Sequence, residues 1–228
     1  MLHALIRYGD EMKIPLFLVA LLVAAAFCRA DMVIVQKVDG AGQSGEMTMK
    51  IGGDKVRADV SPQVSTITDT KTGDVITLMH AQRSYMLMTA ATIKAMFAKL
   101  GAATGAETSP AAPKATGKTD KINGWNAAEY SFDNGMMKGS YWMSTEFPNA
   151  KAVTDALAKF RQGSLAEMTR AFTPDMSALP GVPVKTEVEV NGQKIVTELE
   201  SAKDESVDPA VYQVPTGYSQ IKPALPGQ

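Results

Sequence analysis

The chain has 228 residues, with 23 Lys plus Arg against 24 Asp plus Glu and a formal net charge of −1. Near-neutrality leaves no global basic field to attract nucleic acid or an anionic lipid surface. One cysteine and two histidines exclude a disulfide framework and any zinc centre that needs several Cys and His ligands.

The N-terminus reads as a leader. Residues 14–27 (IPLFLVALLVAAAF) form an uncharged apolar run of fourteen, Lys13 precedes it, and Cys28-Arg29-Ala30 closes it before Asp31. A positive start, an apolar middle and small residues at the end are the order of a secretory signal peptide, cleaved here after Ala30. A membrane-spanning helix needs about 20 apolar residues, so this run is short for an anchor. Asp10 and Glu11 fit such a leader poorly, and Met12 makes a cleaner start than Met1. A buried core helix is the bland alternative. A lipid anchor on Cys28 is another, although Phe27 and Arg29 flank that cysteine poorly. The segment 1–30 is thus expected to be removed and 31–228 to form one domain. Removing the leader's three basic and two acidic residues from the 23 and 24 of the whole chain leaves −2. It also removes the cysteine, so stability must come from a packed core.

Strands dominate the rest of the chain. Residues 33–38 open as a strand, and 46–51 (EMTMKI) alternate polar and apolar, the period of a half-buried strand. Gly52-Gly53-Asp54 turns the chain into 55–60. Residues 64–70 and 74–80 pair through Lys71-Thr72-Gly73, and 83–88 continue the meander. Val75, Ile76, Leu78 and Met79 place apolar groups on both faces, which predicts a strand covered on both sides.

The pattern then changes. Ile93, Met96, Phe97 and Leu100 sit at helical spacing within 89–100. Residues 101–117 are Gly, Ala, Thr, Ser and Pro, and read as a flexible linker. Strands resume at 120–122, 125–132 and 136–144, with turns at Asn123-Gly124 and Asp133-Asn134-Gly135. Helices are expected at 150–160 and 164–172. Residues 173–183 are irregular, and a final hairpin (184–190, 194–201) turns at Asn191-Gly192. The end, 208–218, is a turn and a closing extended piece. The reading is α+β, mostly antiparallel β, with about ten or eleven strands in a strongly curved sheet wrapped around helices.

The meander over 33–88, the NGW turn at Asn123–Trp125, the LPGVPV run at 179–184 and the closing VPTGY at 214–218 carry a resemblance. The chain resembles a family of exported bacterial proteins of unknown function with the half-barrel of the LolA-type periplasmic lipoprotein carriers. That resemblance implies an open half-barrel with two or three helices lidding its concave side. It also implies a periplasmic, non-catalytic protein that holds a lipid or lipoprotein acyl chain. A cofactor is not expected, and a peripheral contact with the membrane stays open. The groove residues it suggests are Met47, Met49, Val75, Met79, Met86, Met88, Phe97, Tyr141, Trp142 and Met143.

The search for chemistry points the same way. After cleavage His80 is the sole histidine, no GxSxG elbow presents a serine, and no Walker or GxGxxG loop is present. His80 reads as a turn or surface histidine. Glu187 with Glu189, and Glu198 with Glu200, share strand faces. An acid/base couple or a calcium site uses such pairs, but a solvated face is the simpler reading. Asp69, Asp74 and Asp133 fall in turns, where Asp is common.

Methionine is the compositional oddity, with twelve after Ala30. Met47 with Met49, and Met86 with Met88, each share a strand face. Thioethers bind Cu(I), but no His or Cys reinforces these pairs. Adaptable core packing comes first, and lining of an apolar pocket second. Alternation puts Trp142 on one face and Tyr141 with Met143 on the other. These residues line a cavity mouth or form the rim of a core. Against the carrier reading stand an envelope interaction module without a ligand and, last, a carboxylate hydrolase.

Overall fold

The computed structural model describes residues 30–40, 43–104, 112–133, 137–159, 174–176, 178–190 and 192–222. In chain order the elements are β1 (Asp31–Gly40), β2 (Gln43–Gly52), β3 (Lys55–Ser61), β4 (Val64–Asp69), β5 (Val75–Met79), β6 (Ser84–Met88), α1 (Ala90–Thr104), β7 (Lys114–Ile122), β8 (Trp125–Asp133), β9 (Met137–Ser144), α2 (Ala150–Ala158), β10 (Val182–Val190), β11 (Gln193–Glu205), a 3-10 turn (Pro209–Tyr212) and β12 (Ser219–Ile221).

The strands form one open sheet in the order β12-β6-β5-β4-β3-β2-β1-β11-β10-β9-β8-β7. Two antiparallel meanders, β1–β6 and β7–β11, meet where β1 pairs with β11. Among the described strands only β12 runs parallel to its neighbour, β6. The architecture is α+β and the sheet is an open half-barrel, as expected, with a twelfth short strand that the sequence showed only as a closing extended piece.

Local sequence explains the turns. Asn123 (φ 48°) and Gly124 (φ 93°) both take positive φ between β7 and β8. That is the geometry the Asn-Gly pair favours in a two-residue hairpin. Gly181 in the LPGVPV run has φ 78°, and a Cβ there would lie 2.1 Å from the Ser144 carbonyl oxygen. Only glycine lets β10 start that close to the end of β9.

The main core lies under α2. Val153 and Ala156 are buried at i and i+3, and Leu157 packs beside them. This stripe meets Met32 and Ile34 of β1, Ile51 of β2, Val56 of β3, Val182 and Val184 of β10, and Leu199 of β11. Trp125 stacks obliquely on Phe147 at 4.8 Å between ring centroids, closing the same core. A second cluster joins Phe132, Tyr141 and Met143, with Tyr130, Met137, Met176, Leu179 and Val188 against it.

One expectation changes. Residues 101–104 continue α1 and 114–117 already belong to β7, so the segment read as a linker is shorter than 101–117. Its Ala and Thr are compatible with helix and edge strand alike, and composition does not separate them from linker. β7 is a charged edge, with every residue exposed except Ile122 and Lys114, Lys118 and Lys121 along it. Lysines on an edge discourage pairing with another chain. The leader (1–29) and the helix expected at 164–172 lie outside the described residues.

Candidate functional site

Register across β1 to β6, continuous along the two rows below and shifted only past Asp59 in β3, fixes which side chains share a face. One transverse row runs Met32, Ile51, Val56, Thr68, Val75, Met88. The next runs Ile34, Met49, Ala58, Thr66, Thr77, Met86. Met47 pairs with Gln36, and Met79 with Val64, on the same face. Met32, Met47, Met49, Met79, Met86 and Met88 therefore all point to the side that carries α2. Among the described residues of β1–β6, the other face has no methionine.

Cover on this face is uneven. Met32, Ile34, Ile51 and Val56 are buried beneath α2, whereas Met47, Met49, Val75, Met79, Met86 and Met88 are half-buried. Along its far half, Met79 of β5 and Met86 and Met88 of β6 lie beside Val75 and next to Thr66, Thr68 and Thr77 of β4 and β5. Trp142 joins the α2 core, and its indole N–H is buried without a hydrogen-bond partner. Tyr141 and Met143 belong to the second cluster, and register through Thr186, Thr197 and Val38 brings Tyr141 to the side of the sheet that carries Met47. There burial pushes the Tyr141 phenol up to about 12. The ten residues suggested for the groove thus divide. Six share the methionine face, Trp142 packs against the α2 core, Tyr141 reaches the methionine side by register, Met143 lies beside it in the second cluster, and Phe97 lies in α1 with its side chain outside the described set.

The opposite face of β1–β6 carries polar chemistry that the sequence did not signal. Lys50 and Arg57 reach Asp59 at 2.6 Å each. Ser65 donates to Asp59 (2.7 Å), Arg57 Nη2 donates to Ser65 Oγ (3.1 Å), and His80 Nε2 lies 2.7 Å from that oxygen. Burial works to raise the Asp59 pKa, but bonds from Lys50, Ser65 and Arg57 outweigh it and hold the carboxyl at about 2. A serine hydroxyl has one proton. Asp59 takes it, so His80 Nε2 must donate to Ser65; in the neutral ring His80 Nδ1 then accepts from the Tyr218 hydroxyl, 2.7 Å away. In a nucleophile–base pair the proton runs the other way, from serine to histidine. Ser65 is also only 1% exposed. His80 is therefore not a free turn histidine: it joins β4 to the C-terminal segment.

That segment straps the face. Tyr212 donates to Asp31 (2.7 Å), Arg57 Nη1 donates to the Val211 carbonyl (3.0 Å), and Ser219 N donates to the Arg83 carbonyl (3.0 Å).

Three of the four glutamates of the acidic pairs are ion-paired on strand faces. Glu187 meets Lys185 (2.8 Å) and Lys194 (2.6 Å), Glu189 meets Lys138 (3.1 Å), and Glu198 lies 3.9 Å from Lys185. Burial works to raise the Glu187 pKa, but the bonds from both lysines bring it below the usual carboxylate range, the reverse of a general acid. No group of three or more His, Cys, Asp or Glu among the described residues could hold a metal ion. Two open depressions, of about 600 and 560 Å³, lie over β7–β11. The larger is lined by Lys114, Glu129, Lys138, Glu187 and Glu189, so it is charged and separate from the methionine face.

The model of DUF4412, a domain of unknown function, matches residues 31–218. The chain belongs to that family. The match begins at the residue after Ala30 and ends at Tyr218, the residue that pins the strap. No curated protein matches the chain. Among solved structures it is similar to PNGF-II at 11% identity and a TM-score of 0.40, covering 85% of this chain and 32% of that one. The chain thus spans about a third of the length of PNGF-II. It is also similar to the Mycobacterium tuberculosis lipoprotein LppX (11% identity, TM-score 0.35, covering 82% of this chain and 92% of that one). A third is an outer membrane lipoprotein-sorting protein domain from Vibrio parahaemolyticus (12%, 0.34, 80% and 89%). Likeness at these scores carries no argument about what this DUF4412 chain binds.

Proposed function

We propose that this chain is an exported, periplasmic binding or carrier protein that holds an apolar ligand, a lipid or lipoprotein acyl chain, without catalysis. The ligand lies along the methionine face of β1–β6. One observation carries the reading: six methionines share a single face of the sheet, and five of them are half-buried.

Thioether side chains are unbranched and polarizable, so they repack around acyl chains of different length and saturation. Full burial of a methionine contributes about 1.5–3 kcal/mol relative to exposure. Completing the burial of five half-covered ones adds roughly 1 kcal/mol each, to which every buried methylene of the ligand adds about 0.8 kcal/mol. Export is supported by the order of residues in 1–30. Among the described residues, no helix is long and apolar enough to cross a membrane.

The test is uptake of a fluorescent fatty acid by the purified protein, with native mass spectrometry of protein drawn from its own envelope. Saturable uptake and a copurifying lipid mass are expected. A clean protein mass together with no uptake would sink the reading.

A further inference from the structure

Among the described residues of β1–β6, charge is confined to one face. Lys37, Glu46, Lys50, Arg57, Asp59 and Asp69 all alternate onto the strap face. The rows on the methionine face hold no Asp, Glu, Lys or Arg. The parallel strand β12 keeps the pattern. Ser219 pairs with Ser84 and Ile221 with Met86, so Ile221 extends the second row to the sheet edge, where it is 42% exposed. Charge returns across the seam, where Asp204 of β11 pairs with Met32. An ionised headgroup drawn onto the band between would lose its water and meet no counter-charge, which is the costly way to bury an ion.

The polar groups that the band does offer are hydroxyls near its centre. Thr66 of β4 stands directly opposite Thr77 of β5, and Thr68 is the next residue on that side of β4. Directly opposed side chains of an antiparallel pair lie about 5 Å apart at Cβ. Thr66 and Thr77 are both half-buried. Ala58, the smallest side chain of the row, adjoins Thr66, and Met49 lies one strand beyond it. Met86 adjoins Thr77 on the other side. A hydroxyl donates one hydrogen bond and accepts two, so it can donate to an ester carbonyl. Hydroxyls with a thioether on either side thus match a neutral polar group that has apolar chain next to it.

We infer that the ligand of the methionine face is an uncharged acyl ester whose carbonyl lies on the Thr66–Thr77 pair. The inference rests on the binding reading above and narrows it: a free fatty acid binds by its chain alone, with its carboxylate left in water. A neutral glyceride and the diacylglyceryl group of a lipoprotein share the required chemistry.

Titration of the purified protein with three fluorescent probes of one chain length tests it: a fatty acid, its methyl ester and the corresponding amine. The ester is expected to bind about tenfold more tightly than the acid, for one hydrogen bond gained and one charge not desolvated. The amine should bind no better than the acid. Thr66→Val and Thr77→Val keep the branch and remove the hydroxyl, and each should bring the ester close to the level of the acid. Thr77→Lys should invert the order, with the acid ahead of the ester and the amine rejected. A urea midpoint for each variant separates lost binding from lost fold. An acid that binds as well as the ester, or an ester preference that both Val variants retain, would overturn this inference and leave the ligand reading standing. No uptake of any probe would remove both. Diacylglycerol and a diacylated cysteine peptide should compete with the bound ester. Competition by the peptide alone would place the ester in a lipoprotein, competition by diacylglycerol alone in a free lipid, and competition by neither would overturn the inference.

Discussion

His80 Nδ1 lies 2.7 Å from the hydroxyl of Tyr218, 138 residues further along the chain, and in the neutral ring accepts its hydrogen bond. Through this bond the end of the family match is tied to the turn after β5. None of the strap residues Pro209–Tyr212 is buried, so the strap depends on polar pins more than on apolar area. Tyr218→Phe removes the donor and leaves the Nδ1 of His80 unpaired. It is expected to cost about 1 kcal/mol, read as a lower urea midpoint with an unchanged slope. Proteolysis should then cut the C-terminal segment before the rest of the protein.

Asp59 predicts a pH dependence. Its folded-state pKa is about 2, below the ordinary value of 3.8, so the unfolded state binds the proton more readily. The stabilisation it gives is complete well above pH 4 and is lost as pH falls through the window from 3.8 toward 2. Solvent screening of this half-buried group holds its size to about 1–2 kcal/mol, and Asp59→Asn should remove it. Denaturation measured between neutral pH and pH 2 in the two proteins gives the comparison: the wild type should lose its advantage over the variant toward the acid end.

The two faces of the sheet should respond differently to truncation. Leu78 is 0% exposed on the strap side, and Leu78→Ala is expected to cost about 2–5 kcal/mol. Met86, half-buried on the methionine face, should cost about 1 kcal/mol when changed to Ala, because much of its surface is already in water. Equal losses at the two sites would mean that the methionine face is closed and packed.

Gly181→Ala places a Cβ against the Ser144 carbonyl at a positive φ. A loss of about 2 kcal/mol or more is expected. The neighbouring Val182→Ala should not share the backbone strain, and a refined structure of the variant would show β10 displaced from β9.

Local rules made much of this legible in the sequence. The Asn123-Gly124 hairpin took the positive φ pair that its composition demands, and alternation placed Trp142 opposite Tyr141 and Met143. Alternation could not say which of those faces lies under α2, because that is decided by where β9 falls in the sheet order. The methionine face was half visible: Met47 with Met49 and Met86 with Met88 share faces by spacing, but their common side depends on register carried through β3, β4 and β5. The Asp59–Ser65–His80–Tyr218 chain left no local trace. Its members come from β3, β4, a turn and the strap, and only the completed fold brings them together. Lys114–Gly117 looked like linker because an edge strand needs no apolar face, so composition was silent there.

Photo-crosslinking tests the central claim most directly. The purified protein is loaded with a diazirine-bearing fatty acid, irradiated, and the labelled peptides are located by mass spectrometry. Labels at Met47, Met49, Met79, Met86 and Met88, suppressed by excess unlabelled fatty acid, are the predicted result. Labels confined to Leu78 and Leu87 on the strap face, or labelling that the competitor does not reduce, would contradict it.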